Sequence, residues 1–401
     1  MTKYILFDDF SRNSLLPLTY LRPSADIRCG ILTFREKWEF YLKSSTYSLC
    51  IDYLKKKFPL EVGNLNVFIK GTLFPNIELR EKIVQLKQGQ ALVNSKDRDV
   101  LAFVLSDEEV REHSFDKKNW IVYDDIISLQ KDEFSFEYST VSNVWDIFSL
   151  NDRAIAEDFK ILTNGKKSVE ISPTNQVFNK EQVFIEQGAI VECSVLNASA
   201  GPIYIGKDAE IMENSSVRGP FALCEHATLK MGTKIYGATT IGPYCKVGGE
   251  VNNSVFFGFS NKAHDGFIGN SVIAEWCNIG ADTNNSNLKN TYEIVKLWSY
   301  TDRKFISTGL QFCGLIMADH SKCSINTMFN TGTVVGVNAN IFGTGFPRNF
   351  VPSFSWGATN VTKKFQFDKA VEIAKNVCDR RGVILSDIDI EILYSVYQMS
   401  E

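Results

Sequence analysis

The chain has 401 residues, of which 44% are apolar and 22% charged, and its formal net charge is −4. That length suits two domains, and the balance excludes both wholesale disorder and the basic footprint of a nucleic-acid binder. No window approaches the roughly 18 consecutive apolar residues of a membrane helix, and MTKYILFDDF has too short an apolar run for a secretory signal.

The first 143 residues read as an α/β domain. Tyr4–Phe7 is a short apolar strand running into Asp8 and Asp9. The stretch from Ile31 to Leu42 has helical spacing, as does Glu78 to Gln88 with Leu79, Ile83 and Leu86 on one face. Further strands are expected at Val67–Lys70, Ala91–Val93, Leu101–Leu105 and Trp120–Tyr123. Strands alternating with helices predict an open, doubly wound sheet covered by helices. A connecting helix and linker follow over residues 144–170, with apolar residues in helical period from Val144 to Leu162.

Beyond residue 170 the dominant signal is a period of six. Ile205, Ile211, Val217, Leu223, Leu229, Ile235, Ile241 and Val247 are aliphatic at successive six-residue steps. Four residues after each stands a small or β-branched residue, Phe221 excepted. Met317, Cys323, Phe329, Val335 and Ile341 form a second run of the same kind. Between them Val255, Asn261, Phe267, Ile273 and Ile279 keep the period with a shift of two residues. A six-residue unit fits neither a helix nor simple strand alternation. It fits one flat face of a parallel β-helix, in which three units make a coil and aliphatic side chains stack inside. Residues 171–361 are assigned to this domain. A loop or exposed edge is expected where the phase slips, from Asn261 to Thr283.

Residues 362–401 carry two helix patterns, from Asp368 to Arg381 and from Ser386 to Met399, suited to covering the open end of the solenoid. The nine cysteines are scattered without a C-x-x-C pair, as expected of reduced thiols in a cytoplasmic protein. The four histidines, His113, His226, His264 and His320, have no metal-ligand spacing. His226 and His320 are expected on flat faces of the repeat. His264 precedes Asp265-Gly266, a turn pair, and is expected to be exposed.

The segment KAHDGFIGN (Lys262–Asn270), followed by NIGADTNNSN (Asn278–Asn287), resembles the catalytic region of hexapeptide-repeat acetyltransferases. The nearest pattern is the C-terminal domain of the bifunctional uridylyltransferase/acetyltransferase family that makes UDP-N-acetylglucosamine. There the segment reads roughly K-A-G-H-x-x-Y-x-G-D, then N-I-G-A-G-T and a further asparagine. The resemblance implies a left-handed β-helix, a homotrimer and acetyl-CoA as co-substrate. It makes His264 the general base and Lys262, Asn278 and Asn287 substrate-binding. Gly280 and Ala281 fall where the acetyl donor is met. Phe267 and Leu288 stand where that family has tyrosines, so two hydroxyls are absent. Arg218 resembles a phosphate-binding arginine, with Lys230, Lys234 and Lys246 as other cations.

These residue types suit amide formation. A neutral amine attacking a thioester must lose a proton, which an imidazole titrating near neutrality accepts, while a backbone N–H stabilises the oxyanion. The whole-chain pattern, including LPLTYLRPSADIRCGILTFREKW (Leu16–Trp38), resembles a divergent bacterial branch of two-domain sugar-phosphate nucleotidyltransferase/acetyltransferases. A nucleotidyl transfer from UTP requires Mg²⁺, with Asp8, Asp9, Asp124 and Asp125 as candidate ligands, and phosphate contacts from residues such as Arg22, Arg28 and Lys37. The glycine-rich loop that follows the first strand in such domains is missing here.

Three readings follow. One is a bifunctional enzyme that acetylates glucosamine 1-phosphate and uridylylates the product. Another is a sugar-1-phosphate nucleotidyltransferase alone, for glucose 1-phosphate with a thymidylyl or uridylyl donor, its β-helix an oligomerisation scaffold. The third is a non-catalytic sugar-nucleotide-binding scaffold. His264 favours the first, the missing glycine loop weighs against the second, and the absent hydroxyls favour the third.

Overall fold

The computed structural model describes residues 1–112, 114–134, 137–357 and 363–400. His113 and the expected boundary between residues 361 and 362 lie outside them. The chain divides into two compact units. The first comprises Met1–Ile27, Leu32–Asn143 and Asp387–Leu393; the second comprises Arg28–Ile31, Val144–Ser386 and Tyr394–Glu401.

The first unit is built on a six-stranded sheet of β1 (Thr2–Phe7), β2 (Thr46–Leu49), β3 (Leu65–Lys70), β4 (Gln90–Asn94), β5 (Asp99–Ser106) and β6 (Gln130–Glu133), in the order β2-β1-β3-β5-β4-β6. β1 runs parallel to β2 and β3, whereas β5 is antiparallel to β3 and β4, so the sheet is mixed. Ile5, Leu6 and Phe7 are consecutive and all buried, as a central strand covered on both faces requires. Leu6 joins Trp38, Ile69 and Ile83 on one side, while Ile5 and Phe7 join Phe68, Phe103 and Phe115 on the other.

Helix α1 spans Phe34–Leu42 and starts there because Thr33 and Glu36 form a reciprocal capping box. Helix α2, Ile77–Gln85, is capped by the Asn76 side chain, which accepts from the Leu79 N–H at 2.8 Å. The strand expected at Trp120–Tyr123 is absent: Ile121 makes an isolated bridge with Asp9, and Tyr123–Ile126 is a 3₁₀ turn. The polar strand β6 carries no apolar alternation and is not predicted by the sequence pattern.

In the second unit the helical pattern from Val144 breaks at Leu150 into a single turn, Asp146–Ser149, and helix α3, Asn151–Thr163. Asn151 and Asp158, both buried, hold the Arg28–Ile31 segment. The Asn151 Oδ1 accepts from the Gly30 N–H at 2.7 Å and Asp158 Oδ2 accepts from the Ile31 N–H at 2.8 Å. A side chain at Gly30 would collide with Ala154 and Asp158, and its φ of +85° also demands glycine.

Residues from 176 onward wind into the expected left-handed β-helix. Its three faces are parallel sheets of 6, 9 and 10 strands, the tenth strand of the last being antiparallel. Successive faces take strands such as Glu250–Asn252, Val255–Phe256 and Asn261–Lys262 in turn. Every aliphatic residue of the first run, Ile205 to Val247, lies in one continuous core with Met317, Cys323, Phe329, Val335 and Ile341.

The phase slip has a different cause from the one expected. Ile235 pairs with Val251, Ile241 with Phe256 and Val247 with Lys262, steps of 16, 15 and 15 residues where the preceding coil uses 18 and the following one 17. The corners are shortened and the coil stays closed. The interior residues there are consequently Phe256, Lys262 and Ile268, and Asn261 and Phe267 face outward.

The chain leaves the coil only later, over residues 286–314. Val272 pairs directly with Ile316, and the excursion carries an antiparallel hairpin of Lys296–Ser299 with Lys304–Ser307.

His226 and His320 are not on flat faces. With Tyr244, Phe259 and Trp276 they occupy equivalent positions on the corner between the second and third faces, all at φ between 54° and 62°. Their rings stack at 4.7, 4.8, 4.3 and 6.2 Å between centroids. The left-handed backbone costs a non-glycine residue about 1–2 kcal/mol, and ring stacking of about 0.5–1.5 kcal/mol per pair offsets much of it.

The last coil presents Phe354, which packs on Phe367 of helix α4 (Phe367–Asp379) and on Tyr397 of helix α5 (Asp387–Met399).

Candidate functional site

The corner leading from the third face to the first carries His264. Each coil turns here on a left-handed residue: Gly232 (φ 70°), Gly249 (φ 73°), Gly266 (φ 113°) and Asp282 (φ 56°). Gly266 lies so near the coil above that a Cβ would overlap the Thr283 carbonyl oxygen. The Asp265 carbonyl accepts from the Asp282 N–H at 3.0 Å, and the Gly266 carbonyl accepts from the Glu250 N–H at 3.2 Å. The loop is therefore tied to both neighbouring coils while His264 and Asp265 stay exposed. Beside it runs an open groove of about 510 Å³, lined by His264, Ala281, Gly248, Lys230 and Met231 among others. The Ala281 N–H has no intramolecular acceptor among the described residues and is available to a ligand.

Lys262 does not reach this groove. It stands in the interior column between Val247 and Ile279, 1% exposed. Its Nζ donates to the Gly248 carbonyl at 2.9 Å and to the His264 carbonyl at 2.8 Å. Burial holds its ammonium down to about 8, against the opposing pull of Asp265 and Asp282. The substrate contact expected of this residue is thus corrected: the amine is committed to the backbone beneath the histidine.

On the first face, one register step along, Phe267 lies outward over Gly269. A Cβ on Gly269 would meet the Phe267 ring at 2.5 Å and the Asn287 Nδ2 at 2.8 Å, so the ring reaches toward Asn287 across a bare backbone. Asn287 in turn donates to Asn270 Oδ1 at 2.8 Å. Two asparagines not singled out from sequence support this strip. Asn285 accepts from the Gly269 N–H at 2.8 Å and donates to its carbonyl at 3.1 Å, and Asn284 accepts from the Phe267 N–H at 2.8 Å. Their amides do what a neighbouring strand does elsewhere in the coil, just where the chain is about to leave it. The signal in the sequence is the N-N pair itself, a side-chain mimic of backbone pairing.

Other expected contacts fall elsewhere. Asn278 is exposed on the third face beside Asn261 and does not line the groove. Arg218 lies on the first face three coils below the Phe267 strand, about 15 Å away at about 4.8 Å per coil, and is not part of a site with His264 within one chain. Gly280 is pressed against Ser324 and Ile325 of the next coil, which explains the glycine by close approach.

Lys230 stands on the wall of the groove, and Lys246, Arg380 and Arg381 form a cationic group on the third face. Arg381 donates to Asn261 Oδ1 at 2.7 Å. The Arg381 charge is the main reason the Lys246 ammonium is depressed, followed by desolvation, Lys230 and Arg380. Glu210 opposes these positive charges.

In the first unit the charged residues end the parallel strands. Asp8 is buried, accepts from the Ser24 N–H and hydroxyl at 2.8 and 2.6 Å, and faces Arg12 at 3.5 Å. Lys70 binds Asp9 at 2.9 Å and Asp99 at 2.7 Å. The three cations expected at phosphate are all buried: Arg22 donates to the Leu18 carbonyl, and Lys37 lies on the buried face of α1. Arg28 donates to the Phe257 and Ile31 carbonyls within the second unit. Asp124 and Asp125 pair with Arg98 and Lys118. No group of three or more metal-binding side chains comes together among the described residues, and Lys70 occupies the space between Asp9 and Asp99. These residues do not fit a Mg²⁺ site.

A model of the sugar nucleotidyl transferase family matches residues 4–167. No curated protein matches the chain. Among solved structures, the polySia-specific acetyltransferase NeuO aligns at 12% identity over 53% of this chain and 99% of its own, with a TM-score of 0.26. LpxA, a UDP-N-acetylglucosamine acyltransferase from Bacteroides fragilis, aligns at 12% over 58% of this chain and 98% of its own, TM-score 0.24. AntD, an N-acyltransferase from Bacillus cereus crystallised with dTDP-4-amino-4,6-dideoxyglucose and coenzyme A, aligns at 14% over 51% and 91%, TM-score 0.21. Likenesses at these TM-scores establish no function.

Proposed function

We propose that the β-helix transfers an acetyl group from acetyl-CoA to the amino group of an amino-sugar 1-phosphate, glucosamine 1-phosphate first among them. The observation that carries the reading is an exposed histidine on a corner tied to two coils, opening onto a groove with a cationic margin. The neutral amine attacks the thioester carbonyl, and His264 takes the proton that leaves nitrogen as the C–N bond forms. The Ala281 N–H supports the oxyanion, and collapse expels the coenzyme A thiolate, which takes up a proton. Phe267 and Asn287 form the wall against which the sugar lies. Lys230, Lys246, Arg380 and Arg381 attract the phosphates of the incoming substrates.

The first unit adds nucleotidyl transfer: a phosphate oxygen of the sugar 1-phosphate attacks the α-phosphorus of UTP and pyrophosphate leaves, giving UDP-N-acetylglucosamine. The Mg²⁺ this requires would enter with the triphosphate, since the unit's own side chains form no metal site among the described residues. The family match over residues 4–167 supports that half of the reading. The enzyme works as a cytoplasmic homotrimer in which a neighbouring copy closes the open side of the groove; the nine free cysteines suit a reducing compartment.

The test is thiol release from acetyl-CoA with glucosamine 1-phosphate, wild type against His264→Ala. Release reduced about 10²–10⁴-fold by the substitution is expected of a lost general base. Release that survives it removes His264 from the chemistry. No release from folded wild type rejects the acetyl-transfer reading.

A further inference from the structure

We propose that Lys262 is a positioning residue, an interior amine that fixes the backbone of His264 and so the direction of its ring. The proposal rests on the reading of His264 as the base.

The interior column on the third face runs Ile211, Leu229, Val247, Lys262, Ile279, Cys323, Ile341. One member of this apolar stack is an amine, 1% exposed. Burying an amine among hydrocarbon is unfavourable, and no carboxylate among the described residues lies in contact with it to offset the cost. A leucine or valine would serve packing better. What the amine does that hydrocarbon cannot is bind two carbonyls, those of Gly248 and His264, from two successive coils. The His264 carbonyl lies in the full-length corner between Lys262 and Ile268, above the shortened corner at Gly248 and Gly249. The backbone ties flank it, at the Lys262 carbonyl on one side and at the Asp265 and Gly266 carbonyls on the other, and among the described residues the His264 carbonyl itself accepts only from the amine.

Gly249 completes the arrangement, since a Cβ there would lie 2.9 Å from Nζ. With Gly266 locked against Thr283 above, the histidine is held from below by Lys262 and from above by the next coil. Two acceptors match the two N–H bonds that even a neutral amine retains, so the clamp holds in either charge state.

Two variants test this in the full-length protein. Lys262→Met removes the donors and keeps the volume; Lys262→Gln keeps an NH₂ group one bond shorter. The expected result is a kcat for acetyl transfer roughly 10- to 100-fold lower in Lys262→Met, partly restored in Lys262→Gln. KM for both substrates should stay within about twofold, and Tm should be unchanged or raised. A Lys262→Met kcat equal to wild type overturns the proposal.

Hydrogen exchange tests the clamp independently of the chemistry. The amides of Glu250 and Asp282, which bond the corner, should exchange faster in Lys262→Met, and unchanged protection overturns the clamp. Wild type lacking acetyl transfer would sink the reading of the site while leaving this measurement to decide on Lys262. Should neither variant fold, amine acetylation of the native wild type decides. Lys262 should resist modification while Lys230 reacts, and equal rates overturn the proposal.

Discussion

Phe267 lies across Gly269 so closely that a methyl group on the glycine would sit 2.5 Å from the ring. The bare backbone is what lets an aromatic side chain on the first face span toward Asn287. Gly269→Ala should lift the ring and displace the Asn287 amide together. Steady-state kinetics are expected to show KM for the amino sugar raised about tenfold, the scale of one lost substrate contact. KM for acetyl-CoA should not move. Equal effects on both substrates would remove Phe267 from the sugar wall.

The glycine of the His264 corner, Gly266, is a stability element. At φ 113°, with its Cβ position already occupied by the Thr283 carbonyl, Gly266 has no substitute. Gly266→Ala is expected to cost about 1–3 kcal/mol from the backbone alone. Calorimetry should register a Tm lower by roughly 3–10 °C. An unchanged Tm would mean that the corner relaxes without penalty.

The cationic margin makes a separate claim about binding. Lys230→Ala and Lys246→Ala should each raise KM for the phosphate-bearing substrates while leaving kcat within about twofold, as loss of uniform binding does. The effect should shrink as salt is raised from about 0.05 to about 0.5 M, because exposed charges are screened. A kcat effect insensitive to salt would assign these lysines another role.

In the first unit, burial pushes the Asp8 carboxyl up from 3.8 to about 6, against the opposing charge of Arg12. Between those values the native state holds a proton that the unfolded chain has released. Stability therefore falls as pH rises from about 4 to about 6 and levels off above, a span of roughly 3 kcal/mol. Asp8→Asn, which keeps an acceptor for Ser24, should flatten the urea midpoint across that window. A slope that persists in the variant would place the titration on another group.

The β-helix is legible because its core repeats one instruction, an aliphatic residue every sixth position from Ile205 to Val247. The same rule misplaces the interior at Asn261 and Phe267, since shortened corners leave no periodic trace and an interior lysine contradicts the expectation of hydrocarbon. His264 stands out through its neighbours in sequence. Asn284 and Asn285 do not, because their role is to complete a strand that only the three-dimensional path shows to be missing. Near the start of the chain, Arg12, Arg28 and Arg35 look available for phosphate. Arg35 is in fact bound to Asp26 at 2.6 and 2.8 Å, and the other two are spent on neighbouring groups. Spacing along a chain cannot show which carbonyls and carboxylates an arginine will meet.

The direct pairing of Val272 with Ile316 has a consequence for how such a protein can change over generations. The ladder of the second face passes over residues 286–314 as though they were absent, so their length and sequence are decoupled from the register of the coils. Variation in the exposed part of this excursion alters what lies near Asn270 without changing the strand register, while the buried Val295, Leu297 and Cys313 and the stacking of Trp298 on Phe350 keep it anchored to the coils. Loop length is thereby separated from strand register: the coils hold a frame, and under the acetyl-transfer reading proposed above the excursion is where a different acceptor would be accommodated.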